Sequence, residues 1–120
     1  MNFLFYFLDR GRYWIANQHI AIRATRRRKL KHVGFPNVEP ERRRAPEQSR
    51  RRLRARSGWE REHKTYAFTT SLGERVVQRN YVDFVEAKWP RCRWYFGRKE
   101  DAVFAKVDGE LVAIVMPVRT

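Results

Sequence analysis

The chain has little that would support redox or metal chemistry. Its 120 residues contain one cysteine, Cys92, so no internal disulfide can form and a reducing, cytoplasmic setting is expected. Cys92 has no histidine near it in sequence, and its place in an alternating segment predicts a buried thiol. His19, His32 and His63 lack a cysteine or carboxylate at metal-ligand spacing. They are expected on the surface, with no metal and no other cofactor. Glycines are few and never form a phosphate-cradling run; Gly97 and Gly109 stand alone as turn residues. No apolar run approaches the roughly 20 residues of a membrane helix. The apolar start, up to Leu8, lacks a basic leader and a small-residue cleavage site, and reads as a buried strand or docking segment. With no grouping of nucleophile, acid and base, an enzyme is the least expected class.

Acidic residues are scarce as well. Against 27 Lys and Arg stand 13 Asp and Glu, a net charge of +14. The imbalance is concentrated: residues 1–63 carry 17 basic and 6 acidic side chains, residues 64–120 carry 10 and 7. Such a basic half attracts polyanions, and nucleic acid gains most because each neutralised phosphate releases a counterion. An anionic membrane surface or an acidic protein would attract it too. Only six of the basic residues are Lys; arginine favours bidentate phosphate contacts, although a GC-rich genome produces the same bias.

Within the basic half, residues 12–32 bring Tyr13, Ile20 and Leu30 onto no single stripe, and a short basic helix is expected there, carrying Arg26, Arg27 and Arg28. Residues 33–58 read as linker, interrupted by Pro36, Pro40 and Pro46. Here lie Arg42, Arg43, Arg44, Arg50, Arg51, Arg52, Arg54 and Arg56 with almost no large apolar side chain among them. Such a segment buries too little surface to offset its ordering entropy. It is expected to be irregular in solution, or helical against a phosphate backbone. Residues 1–63 are therefore expected to be a basic, largely irregular arm that binds nucleic acid without sequence preference.

From Lys64 the character changes. Residues 64–70 alternate, residues 71–73 make a turn, and residues 74–79 resume as a Val-rich strand, so the pair reads as a hairpin. Asn80 is a good helix N-cap with Asp83 three residues on; Tyr81, Phe84, Val85 and Lys88 follow at helical spacing, and Trp89-Pro90 stops the helix. Three strands are expected next, over residues 91–96 with Cys92, Trp94 and Phe96 inward, over 102–107, and over 110–116. Asp108-Gly109 joins the last two as a hairpin turn. The expected fold class for residues 64–120 is thus α+β: an antiparallel sheet of four or five strands with one helix, in the order β-β-α-β-β-β. Trp59, Trp89, Trp94, Tyr66 and Tyr95 would serve as core residues or as stacking surfaces for bases.

The segment Asn80-Tyr81-Val82-Asp83-Phe84-Val85 and the terminus Ala113-Ile114-Val115-Met116-Pro117-Val118-Arg119-Thr120 resemble the last repeat of the bacterial DNA polymerase III beta sliding clamp. The resemblance covers residues from about 65 to 120. It implies a role in DNA replication. It also implies that Ile114, Val115, Met116, Pro117, Val118 and Arg119 form one wall of a groove for the short peptides of replication proteins. The opposite wall of that groove has no counterpart in the chain, and the helix carries Asp83 and Glu86 against Lys88, whereas clamp helices tend to be basic. Two non-enzymatic expectations follow. One is a replication-associated binding protein resembling a clamp fragment, phage or mobile-element encoded. The other is a small basic nucleic-acid-binding protein whose sheet is a scaffold, or an interaction module of the same origin.

Overall fold

The computed structural model describes residues 1–34, 47–48, 50–54, 65–70, 73–96 and 102–118. Among these the chain is mostly strand with a single helix, a small α+β fold. Eleven strands arise in chain order: β1 (Phe5–Asp9), β2 (Arg12–Ala16), β3 (Ile20–Arg23), β4 (Lys31–His32), β5 (Glu47–Gln48), β6 (Arg50–Arg54), β7 (Thr65–Thr70) and β8 (Gly73–Gln78) precede the helix α1 (Arg79–Lys88), and β9 (Arg93–Phe96), β10 (Val103–Val107) and β11 (Glu110–Val115) follow it. They build an eight-stranded sheet, ordered β4-β1-β2-β3-β11-β10-β9-β5, and a three-stranded sheet, β6-β7-β8.

The large sheet is two meanders joined edge to edge. Strands β1–β3 form one and β9–β11 the other; Ile20, Ala21 and Ile22 of β3 pair antiparallel with Val115, Ile114 and Ala113 of β11. Each meander carries a two-residue hairpin whose central residues both have positive φ: Arg10 (51°) and Gly11 (75°), then Asp108 (50°) and Gly109 (80°). That geometry matches the twist of the flanking strands, and glycine reaches it without steric cost.

This arrangement corrects the reading of residues 5–23 as part of an irregular arm. Residues 5–23 are sheet, and the expected basic helix over residues 12–32 is replaced by β2, β3, a loop and β4. The reason is that Trp14-Ile15-Ala16 and Ile20-Ala21-Ile22 are two short apolar runs covered on both faces of a central strand pair, a pattern that helical periodicity cannot register. Strands β5 and β6 likewise occupy part of the expected linker, because the edges of β9 and β7 supply the backbone partners that their own composition does not advertise.

Two cores result. On one face Ile15, Ile20, Ile22, Val103, Val112 and Val115 meet Val82 and Val85 of α1, Phe68 and Val77 of the small sheet, and Trp94 and Phe96. On the other face Phe7, Trp14, Phe104 and Ile114 pack together. The helix buries Val82 and Val85, three residues apart, and half-buries Tyr81 and Phe84 against His19 and Phe3. Its N-cap is Gln78, which makes no side-chain capping bond, and not Asn80. Asp83 instead accepts bonds from the Tyr66 hydroxyl (2.9 Å) and Arg79 Nε (3.2 Å), tying α1 to β7. Trp89 ends the helix, its amide donating to the Val85 carbonyl at 2.8 Å.

Candidate nucleic-acid interface

The antiparallel pairing sets which charges meet. β2 begins where β3 ends, β11 begins beside the end of β3, and β10 ends beside the start of β9. One end of the large sheet therefore collects Arg10, Arg12 and Arg23 from the first meander and Arg93 and Lys106 from the second. The loop leaving β3 at this end continues with Arg26, Arg27, Arg28 and Lys29, all exposed. The turn at the opposite end, residues 17–19, is Asn-Gln-His, held by Asn17 Oδ1, which accepts from the amides of His19 (2.8 Å) and Ile20 (3.0 Å).

The basic loop is pinned. The Tyr13 hydroxyl donates to the Arg28 carbonyl at 2.8 Å and accepts from the Arg28 amide at 2.9 Å. The Ala24 amide donates to the Tyr13 carbonyl (2.9 Å) and the Val33 amide to the Tyr6 carbonyl (2.9 Å), while Leu30 packs on the larger core. Tyr13 itself stacks on Tyr6 with ring centroids 5.1 Å apart. The side chains of Arg26 to Lys29 are thus displayed from a fixed backbone, so less ordering entropy is lost on contact with a polyanion than from a free chain.

Glu110 organises the charges nearest the sheet. It accepts from Arg23 at 2.9 Å and from Arg12 at 3.1 Å, joining β2, β3 and β11. The Arg23 hydrogen bond, followed by the field of Arg12, holds its carboxyl below the ordinary glutamate range. Lys106 lies over the Tyr95 ring at 5.0 Å, and partial burial pushes its ammonium pKa down.

The residues expected to act separate into three groups. Arg26, Arg27 and Arg28 come together on the loop. Arg50, Arg51, Arg52 and Arg54 belong to the backbone of β6, paired with β7, rather than to an irregular arm. Arg42, Arg43, Arg44, Arg56 and Arg119 lie outside the described residues. The terminus departs from a groove wall. Ile114 (3% exposed) and Val115 (0%) are core residues on opposite faces of the central strand β11. Only Met116, Pro117 and Val118 reach the surface in part, and the Val118 amide donates to the Val76 carbonyl at 2.7 Å, which stitches the two sheets together. A strand flanked by β3 and β10 has both its edges and both its faces occupied, so Ile114 and Val115 are closed to a peptide.

Among the aromatic residues considered for base stacking, Trp94 is 5% exposed and packs on Phe68, and the Tyr66 hydroxyl is engaged by Asp83. Trp89 and Tyr95 are half-buried, and Trp59 lies outside the described residues. His19 and His32 are exposed, as expected, while His63 is outside the description. Cys92 is half-buried, not fully buried, because β9 begins one residue after it. No cluster of three or more metal-binding side chains occurs among the described residues, and no described helix is long and apolar enough to cross a membrane.

What sequence reading missed is the contribution of Arg10, Arg12, Arg23 and Lys106. The signal lay in hairpin arithmetic: Arg10-Gly11 and Asp108-Gly109 both sit between apolar segments, and equivalent turns place their flanking charges at one end of a shared sheet. Comparison with protein-family models, with curated proteins and with solved structures gave no match for this chain.

Proposed function

We propose that the chain is a non-enzymatic nucleic-acid-binding protein that grips the phosphate backbone with the basic end of its large sheet. The observation that carries this reading is the pinned, exposed run Arg26–Lys29 on a protein of net charge +14 whose large sheet also gathers Arg10, Arg12, Arg23, Arg93 and Lys106 at one end. A backbone fixed by two hydrogen bonds to Tyr13 and four exposed cations in succession form a concentrated positive surface, suited to phosphates spaced along a strand. Recognition is by charge and not by base sequence, because no exposed helix among the described residues presents side chains for a groove. The helix α1 is committed to packing through Val82, Val85, Tyr81 and Phe84.

The test is the salt dependence of binding to a short DNA duplex and to a single strand of mixed sequence. The parent chain is expected to lose affinity steeply between 50 and 200 mM salt, in the range set by counterion release. The variant R26A/R27A/R28A should fold normally, since these side chains are exposed, and reduce the slope of log affinity against log salt by about 2–3. An unchanged slope and affinity in the triple variant would reject the loop as the contact surface. This reading supports a scaffold with a charged end in preference to a fragment of a replication clamp, whose peptide groove would need Ile114 and Val115 at the surface.

A further inference from the structure

The basic end of the sheet is not flat. Beside the hairpins lies a half-open cleft of about 610 Å³, within the size range of sites for nucleotide-sized ligands. Arg10, Arg12, Arg23 and Lys106 line it, opposed by the carboxylates of Asp9 and Glu110. Arg12 and Arg23 are already joined by Glu110, whereas the only contact of the Lys106 ammonium among the described residues is the ring of Tyr95. Burial of this ammonium lowers its pKa, and an anion alongside would restore the charge that desolvation disfavours.

A second observation is independent of charge. Trp14, 1% exposed, forms part of the cleft wall, and its indole Nε1–H has no acceptor among the described residues. An indole N–H only donates, and a buried donor without a partner costs about 1–3 kcal/mol. Lysine and arginine also only donate. Lys106 and the Trp14 indole thus bring donors alone to the cleft, and donors call for an acceptor-rich anion. A third observation agrees: Arg10 occupies a positive-φ turn position where Asn, Asp or Gly is the economical choice, as Asp108 is in the twin hairpin. The turn gives up some stability and places a guanidinium on the cleft.

We infer that this cleft is a phosphate-group site, in which Lys106 and the indole N–H of Trp14 receive the phosphoryl oxygens of a nucleotide-sized ligand while Arg12 and Arg23, fixed by Glu110, form the positive wall behind. The phosphate belongs either to a free mononucleotide or to the terminal nucleotide of a strand held on the basic loop. The inference rests on the reading of this end of the molecule as a phosphate-binding surface, and the two fail separately.

The measurement is the indole ¹H–¹⁵N spectrum of the full chain, whose four tryptophans give separable signals, with Trp14 assigned from W14F. Probes are adenosine 5′-monophosphate, adenosine, and a short single strand with and without a 5′-phosphate. Adenosine 5′-monophosphate is expected to move the Trp14 signal and adenosine to leave it. K106Q should weaken that binding at least tenfold, and R26A/R27A/R28A should leave it unchanged. A response only to the 5′-phosphorylated strand also supports the site and assigns the phosphate to a strand end. If no phosphorylated probe moves the Trp14 signal while the chain still binds DNA, the cleft is overturned and the proposed function stands. A response to adenosine 5′-monophosphate without DNA binding establishes the cleft and rejects that function. Loss of the Trp14 response to adenosine 5′-monophosphate in R26A/R27A/R28A overturns the cleft as a site of its own.

Discussion

Glu110 shows how one carboxylate can organise charges that sequence places far apart. Arg12 lies 98 residues away and Arg23 lies 87 away, yet both guanidinium groups reach it. The group is largely solvated, so each pair is weak alone and screened by salt. Its pH dependence has a definite sign. A carboxyl held below its ordinary range contributes stability above the ordinary glutamate pKa, and that contribution fades as pH falls through the depressed folded value. E110Q should therefore unfold at lower urea than the parent at pH 7, with the gap narrowing at acidic pH below the ordinary glutamate range. Urea midpoints at the two pH values check this; a gap that persists unchanged in acid would mean that Glu110 acts through packing and not through its charge. At this scale the sequence was a poor guide. It identified Arg26, Arg27 and Arg28 but had no means of finding Arg12 and Arg23, since what selects them is their nearness to Glu110 and Trp14 across strands.

At the scale of elements, the two hairpins follow one design and give a sharp expectation. Gly11 has φ of +75°, and a Cβ added there would meet nothing within 4 Å. The penalty for G11A is then backbone conformation alone, about 1 kcal/mol, read as a drop in the thermal or urea midpoint. A neutral result would show that the turn relaxes to another geometry. The helix is the weaker element at its start. Gln78 offers no cap, although Asn80 two residues on would cap well if the helix began later. The helix begins at Arg79 because β8 runs directly into it and because Val82 and Val85 must face the core, which fixes the rotation of the first turn. Alternation marks the strand at residues 93–96, where side chains on the two faces differ, but not residues 110–115, a continuous apolar run covered on both faces. It also fails for residues 12–23, where both faces of β2 and β3 are covered and the signal becomes two short apolar runs, 14–16 and 20–22.

For the whole molecule the decisive contact is β3 against β11. It places residues from the first fifth of the chain in the middle of a sheet completed by its last strand. Removing residues 1–23 would strip β11 of its neighbour and uncover Ala113, Ile114 and Val115 together with the core that Trp14, Ile15 and Ile22 now fill. A chain beginning at residue 24 is expected to lose its cooperative thermal transition and to self-associate, because an exposed apolar edge pairs with other chains. Circular dichroism melts and sedimentation would check this. A soluble, cooperatively folding fragment would restore the picture of a self-sufficient C-terminal module with a separate arm.

The sequence by itself determined the α+β class, the helix that Trp89-Pro90 ends, the Asp108-Gly109 hairpin turn and the strong positive charge. These rest on local chemistry: alternation, positive-φ glycine, and the proline after Trp89. Only the tertiary structure decided that residues 5–23 belong to the sheet, that Ile114 and Val115 are core, and that Arg10, Arg12 and Arg23 share one end with Lys106 of a distant hairpin and a buried indole N–H. Those outcomes depend on which strand edges meet. Edge pairing is satisfied by backbone groups that every residue carries, so the choice among partners is made by whole-face burial and leaves little trace in any single segment.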